Sequence, residues 1–254
     1  MLTDAQAQVG IGTLIIFIAM VLIAAVAASV LIQTSGILQQ QAQSTGKQAT
    51  QEVSSNLVVK NIEGVRAKNN ATDMAGNVSL LKIRVGLNVG SSPVDLNQLI
   101  VTISDGSNTN DLLYANNEKT HGYRMSNFSS DANAATANLA ALLKDTQTTP
   151  GHNARYFFTA QKIRDDDTSF TQGNPIMNTG DLATIYVSTV SGSDLSYTTI
   201  GDVSTAGGQR DSNLDIGPRT TVTIVLTPES GATTMATFLT PSSYGTREAV
   251  QLYP

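Results

Sequence analysis

Cysteine and tryptophan are absent from this chain of 254 residues, histidine occurs only twice, and charged side chains make up just 14% of it. Each shortage removes a class of function. Without cysteine there is no disulfide framework, no thiol nucleophile and no thiolate-held zinc. Lys and Arg number 15 against 20 Asp and Glu, a net charge of −5. That balance lacks the basic excess that neutralises phosphates, so nucleic acid is not an expected partner. Typical soluble domains carry about 25% charged residues. Here the shortfall is uneven, because Ala5 to Gly46 runs for 42 consecutive residues without a charged side chain. Disorder is not expected either, at 41% hydrophobic residues and modest net charge.

Val9 to Ile32 is a run of 24 residues whose only polar side chains are Thr13 and Ser29. As a helix it spans about 36 Å, enough to cross a bilayer core with some tilt. Apolar residues occupy every face, so no side of this helix favours water. Exposing it costs on the order of tens of kcal/mol at about 25 cal/mol per Å². Lipid, or other helices of the same kind, must surround it. A secretory signal begins with a basic segment, whereas Met1-Leu2-Thr3-Asp4 is acidic. A plain membrane anchor places Lys or Arg at its cytoplasmic flank, and the nearest cation here is Lys47. The expectation is that a basic leader has been removed ahead of this sequence, or that processing falls near Ala7.

Ala24, Ala25 and Ala28, with Ala27 and Ser29, form a patch where another backbone can come close, and Ala24 and Ala28 stand at small-xxx-small spacing. Alanine is also simply a good helix former. Beyond Ile32 the chain turns rich in Gln, Ala and Ser with no clear helix break. Leu38, Ala42, Thr45, Ala49, Val53 and Leu57 recur every three or four residues, an amphipathic stripe. The pattern predicts one helix from Thr3 to Ser55, softened or kinked at Gly36, buried all round in its first half and wet on one face in its second.

From Asn56 onward the period becomes two. Leu81, Ile83, Val85, Leu87 and Val89 alternate with Lys82, Arg84, Gly86 and Asn88, as a half-buried strand does. Leu99-Val101-Ile103, Ala183-Ile185-Val187 and Val222-Ile224-Leu226 repeat the pattern. Weaker strands are predicted at Asn56–Ile62, Asp111–Ala115, Ala154–Ile163, Thr233–Leu239 and Ala249–Tyr253, and a short helix at Ala132–Leu143. Gly/Pro/Asn turns separate them, which indicates a β-sandwich or barrel. The fold class is therefore α+β: a long hydrophobic N-terminal α-helix, residues 1–57, followed by a β-sandwich or barrel domain, residues 58–254.

Catalytic patterns are weak. His121 and His152 are distant in sequence, each beside Gly, and are expected to be solvated loop residues. Ser44-Thr45-Gly46-Lys47 matches Ser-x-x-Lys and ends in Gly-Lys, but has neither the partner motifs nor the earlier glycine of a phosphate loop. An enzyme is not expected, nor a cofactor. Asp165-Asp166-Asp167 offers oxygen ligands of the kind Ca²⁺ takes; without EF-hand spacing, a solvated turn is the expectation and Ca²⁺ the alternative. Asn70-Ala71-Thr72, Asn77-Val78-Ser79 and Asn127-Phe128-Ser129 are acceptor tripeptides for N-linked glycans, all outside the long helix.

A long apolar N-terminal helix on a β-sandwich is a type IV pilin-like plan, and the residues go further. GIGTLIIFIAMVLIAAVAASVLIQTSGILQQQAQSTGK closely resembles the N-terminal signature of archaeal flagellins, or archaellins. TPESGATTMATFLTPSSYGTREAVQLYP is similar to that family's closing segment, and NVSLLKIRVGLNVGSSPVDLNQLIVTI to its first domain strands. The resemblance implies an immunoglobulin-like sandwich and a precursor held in the cell membrane and cut by a prepilin-like peptidase. It also implies helical assembly, with copies of itself and other archaellins, into the extracellular swimming filament built on the archaellum motor and assembly platform. Where this sequence departs from the family is the leader: Met1 to Gln8 has no Lys, Arg or Gly. The core of such a filament would be packed by Ile11, Leu14, Phe17, Ile18, Met20, Val21 and Leu22, with close approach at Ala24, Ala25 and Ala28. An adhesive type IV-like pilin shares the same plan, and a single-pass membrane-anchored surface binding module is the alternative of a different class.

Overall fold

The computed structural model describes residues 3–54, 57–118, 122–147 and 151–253. The chain divides into two compact units, Met1–Thr50 and Gln51–Pro254. Helix α1 spans Thr3–Ser54 without interruption, and Gly36 lies inside it. Ala, Gln and Ile are the commonest residues of this stretch, which has no proline to break it. Three of its hydroxyls bond back to the helix's own carbonyls. Thr13 Oγ1 donates to Gly10 O at 3.0 Å, Thr34 Oγ1 to Val30 O at 2.9 Å and Thr50 Oγ1 to Gly46 O at 2.8 Å. Such back-bonding lets a hydroxyl leave water without losing its partner. The last position predicted for this helix, Ser55, lies outside the described residues.

The second unit is built from strands β1 (Leu57–Lys68), β2 (Met74–Leu87), β3 (Val94–Asp95), β4 (Ile100–Ser104) and β5 (Thr109–Tyr114), then helices α2 (Ala135–Leu143) and α3 (Asn153–Tyr156). Strands β6 (Phe157–Arg164), β7 (Ile176–Met177), β8 (Leu182–Ser188), β9 (Thr199–Ile200), β10 (Val203–Ser204), β11 (Thr221–Thr227), β12 (Thr234–Leu239) and β13 (Ala249–Tyr253) follow. Strands hydrogen-bond in the order β10-β9-β1-β2-β8-β6-β5-β4-β11-β12, with β13 beside β1 and the β3–β7 pair separate. Nearly every pairing is antiparallel. The exception is β5–β6, which meets over only Leu113↔Phe157 and Tyr114↔Phe158. This narrow junction joins two half-sheets whose inner faces share one core. Leu81, Ile83 and Val85 of β2 and Ile185 of β8 pack with Val101 and Ile103 of β4, Ile224 of β11 and Phe238 of β12. The result is the expected β-sandwich. The expected border after residue 57 falls at the first residue of β1.

Alternation governs β2 as predicted: Leu81, Ile83 and Val85 are fully buried while Arg84 is exposed. Val89 departs from the expectation, standing beyond the strand end and 97% exposed. Gly90, at φ +84°, turns the chain there, and Ser91 N–H donates to Asn88 O at 3.1 Å. The strand predicted at Asn56–Ile62 runs on to Lys68. Alternation fails in this extension because Val65, Arg66 and Ala67 are all buried. The strand predicted from Ala154 begins instead as the single turn α3, and the helix predicted from Ala132 starts at Ala135. No side chain caps that helix at Ala134, and residues 132–134 form a turn ahead of it.

Candidate assembly helix and surface sites

The ten α1 residues expected to pack a helical core all lie in continuous helix and are all exposed in the single chain. Phe17 is 67% exposed and Met20 66%. On a 3.6-residue period, Ile11, Leu14, Ile18, Val21, Ala25 and Ala28 share one face. Phe17, Met20, Leu22 and Ala24 flank that face, and the exposed Ile15, Ile16, Ile23 and Val26 occupy the rest of the circumference. Apolar surface therefore surrounds the helix, which is long and apolar enough to cross a membrane and has none of that stretch buried inside the chain. Ala24 and Ala28, one turn apart, leave a shallow place on one side. The Ser44–Lys47 match lies on the same helix, where Gly46 O accepts the Thr50 hydroxyl.

The three glycan tripeptides differ in setting. Asn70 is exposed in the turn between β1 and β2, where its Oδ1 accepts from Thr72 N–H at 2.9 Å and Asp73 N–H at 2.9 Å. Asn127 is exposed with a left-handed backbone, φ 61°. Asn77 lies within β2, and the hydroxyl of its Ser79 is buried, accepting from Ala67 N–H at 3.0 Å.

Of the three consecutive aspartates, the structure brings Asp165 and Asp167 together with Asp181, their carboxylate oxygens within 4.8 Å of one another, and leaves Asp166 outside the group. Asp181 is the member that sequence spacing missed; the turn before β8 carries it in, its carboxylate accepting from Asn178 N–H at 2.7 Å. The group fastens its loop. Lys162 Nζ lies 2.8 Å from Asp165 Oδ2, Ser169 N–H donates to both Asp165 and Asp167, and Asn178 Nδ2 donates to Asp167. Side-chain donors from Ser169 and Asn178, with the Ser169 N–H, hold the exposed Asp167 carboxyl below its ordinary pKa. His152 is exposed with φ 62° at the start of α3, a loop residue as expected. His121 lies outside the described residues. A cavity of about 380 Å³ is lined by amides such as Asn97, Asn116 and Asn117 around the Glu118–Arg124 ion pair.

Comparison with known proteins decides the family. The model of the archaeal-type flagellin family matches residues 7–238, nearly the whole chain. The chain belongs to that family. Flagellin B3 of Thermococcus kodakarensis is 36% identical, over 94% of this chain and 95% of its own length. Flagellin B2 of Methanocaldococcus jannaschii is 36% identical over 97% and 95%. Among solved structures, the archaeal flagellum of Methanospirillum hungatei matches 96% of this chain and 99% of its own, with a TM-score of 0.53 at 13% identity. Crystalline flagellin FlaB1 of M. jannaschii matches 78% and 96%, with a TM-score of 0.50 at 20% identity. These two show the same fold over the parts they cover. As an archaeal flagellin, the chain is a structural subunit of the extracellular archaellum filament, and the family is one of structural filament proteins.

Proposed function

We propose that α1 is the element through which this flagellin polymerises, and that the same apolar surface serves twice. Lipid covers Val9–Ile32 in a membrane-held precursor, and a prepilin-like peptidase removes its leader. On assembly by the archaellum platform that surface transfers from lipid to neighbouring helices, so a protein core replaces the bilayer. The observation that carries this reading is the apolar helix wholly unburied in the single chain. A surface that costs on the order of tens of kcal/mol in water must be covered in every state.

The geometry suits many neighbours rather than one. Because apolar side chains point in all directions, each helix can touch several copies, and contacts between unlike faces build an open helical polymer. The Ala24–Ala28 strip lets backbones approach, while Phe17, Met20 and Leu22 fill space between more distant helices. The absence of charge from Ala5 to Gly46 spares the core any buried ion. Around it, the β-sandwich forms the wall of the swimming filament and carries glycans on exposed Asn70 and Asn127.

Cryo-electron microscopy of filaments sheared from motile cells tests the proposal. Central density that accommodates Val9–Ile32 of many copies is the expected result. If sheared filaments lack the chain while it stays in the membrane fraction, α1 acts as an anchor and the proposal fails.

A further inference from the structure

The two half-sheets of the sandwich differ in what they turn outward. On β1 and β2, solvent meets Lys60, Glu63, Lys82 and Arg84, with Lys82 Nζ 3.5 Å from Glu63 Oε1. The opposite half-sheet turns outward Met235, Thr237 and Leu239 on β12, Thr223 and Val225 on β11, and Ile100 on β4. Register places Met235 beside Val225 and Thr237 beside Thr223, so these form one continuous face. Asp111 on β5 is the nearby carboxylate, and it accepts the Thr102 hydroxyl at 2.6 Å.

Strand β12 ends the strand order and, among the described residues, pairs as a strand only with β11, while the Thr234 hydroxyl at its start donates to Leu57 O of β1. Free edges of soluble proteins are usually blunted by Lys, by Pro or by a bulge, because an unprotected edge recruits other chains. Beyond Thr234, no Lys, Pro or bulge lies within β12. No charged residue occurs from Ser230 to Thr246, and the β11–β12 register runs without a shift. Met235 is 68% exposed and Leu239 63%. On a freely soluble monomer this would be an aggregation site.

We propose that the β12 edge and its outward face, centred on Met235 and Leu239, form a lateral contact with a second copy of this chain in the filament wall. The inference rests on the reading of the chain as a polymer subunit, and deepens it. Charge selects the occupant. Each copy carries a net −5, so crowding identical copies is repulsive wherever charged surfaces meet. A face without cations or acids beyond Asp111 meets its own kind at least cost. The apolar side chains supply attraction that the acidic surface elsewhere opposes.

The absence of native cysteine makes the test direct. Met235→Cys and Leu239→Cys each introduce a single thiol into the full chain. Its reaction with a maleimide is timed in intact sheared filaments and in the same filaments dissociated by detergent. At least tenfold slower labelling in filaments is expected. Equal rates overturn the contact and leave the filament reading standing, whereas a wild-type chain found in no filament overturns both. As a second readout, the Met235→Lys, Leu239→Lys double variant is expected to cut filament yield at least tenfold, with subunit accumulating in membranes at the wild-type level. Normal filaments from that variant also overturn the contact.

Discussion

The guanidinium of Arg66 lies 5.7 Å from the centre of the Tyr244 ring, and the pair fastens the closing segment of the chain to β1. Arg66 is only 7% exposed. Its Nε donates to Ala75 O at 2.7 Å, and Nη1 donates to Gly245 O at 2.9 Å and Arg247 O at 3.1 Å. Tyr244 Oη in turn donates to Gly217 O at 2.9 Å. Strand β13 then lies against Gly64, where a Cβ would stand 2.8 Å from Leu252 Cδ1. Arg66→Ala removes the fork and leaves several carbonyls without their donor, at a cost of about 3 kcal/mol. Arg66→Lys restores charge but not the planar fork and is expected to recover little. Calorimetric unfolding and the rate of tryptic cleavage at Arg247 check this; unchanged values for both variants would remove Arg66 from the clamp.

A carboxylate in the middle of α1 is expected to abolish filaments. Ile18→Asp places a charge where several helices would meet, costing several kcal/mol per copy. Ile18→Val keeps the apolar surface and is expected to assemble normally. Electron microscopy of the sheared fraction distinguishes the two, and normal filaments from Ile18→Asp would show that this position faces no helix core.

Much of this was legible because the strongest patterns obey one rule each. Val9–Ile32 is apolar without period, and Leu81 to Leu87 alternates because only one face of β2 meets the core. What escaped prediction breaks those rules for physical reasons. The extension of β1 through Arg66 hides a charged residue that is buried and hydrogen-bonded, which periodicity reads as solvent-facing. Val89 looks like the next inward residue until Gly90 turns the chain. Asp181 joins Asp165 and Asp167 through a loop closure that spacing along the sequence does not express. Strands of two residues, such as β9 and β10, are too short to carry a period at all.

Acid is expected to loosen the β4–β5 turn through Asp105. Burial pushes its carboxyl pKa up, but backbone N–H groups of Asp215, Asn108 and Ser107 outweigh that and hold it below the ordinary value. The donors lie at 2.8, 2.7 and 2.8 Å respectively. A depressed pKa contributes stability above the unfolded value of about 3.9, and that stability is lost as pH falls through the folded value. Asp105→Asn should therefore unfold more readily than wild type at pH 7, with the gap closing below about pH 4. A gap that stays constant across that window would assign the loss to packing rather than charge. Unfolding temperatures measured at several pH values supply the comparison.

Glycan attachment should follow access rather than sequence pattern. Asn70 and Asn127 are exposed, with the whole Asn70-Ala71-Thr72 tripeptide open to an enzyme and Ser129 half-buried. Asn77 is different. It sits inside β2, its N–H faces Asp194 Oδ2 at 3.3 Å, and the Ser79 hydroxyl an enzyme must engage is fully buried. Asn70→Gln and Asn127→Gln are each expected to lower the subunit mass by one glycan, and Asn77→Gln to change it only by the substitution. Mass spectrometry of filament protein reads this directly. Equal masses, apart from the substitutions, in wild type and the Asn70→Gln, Asn127→Gln double variant would leave both sites bare. A glycan on Asn77 would mean that transfer precedes the pairing of β2 with β1, because the folded strand offers no path to Ser79.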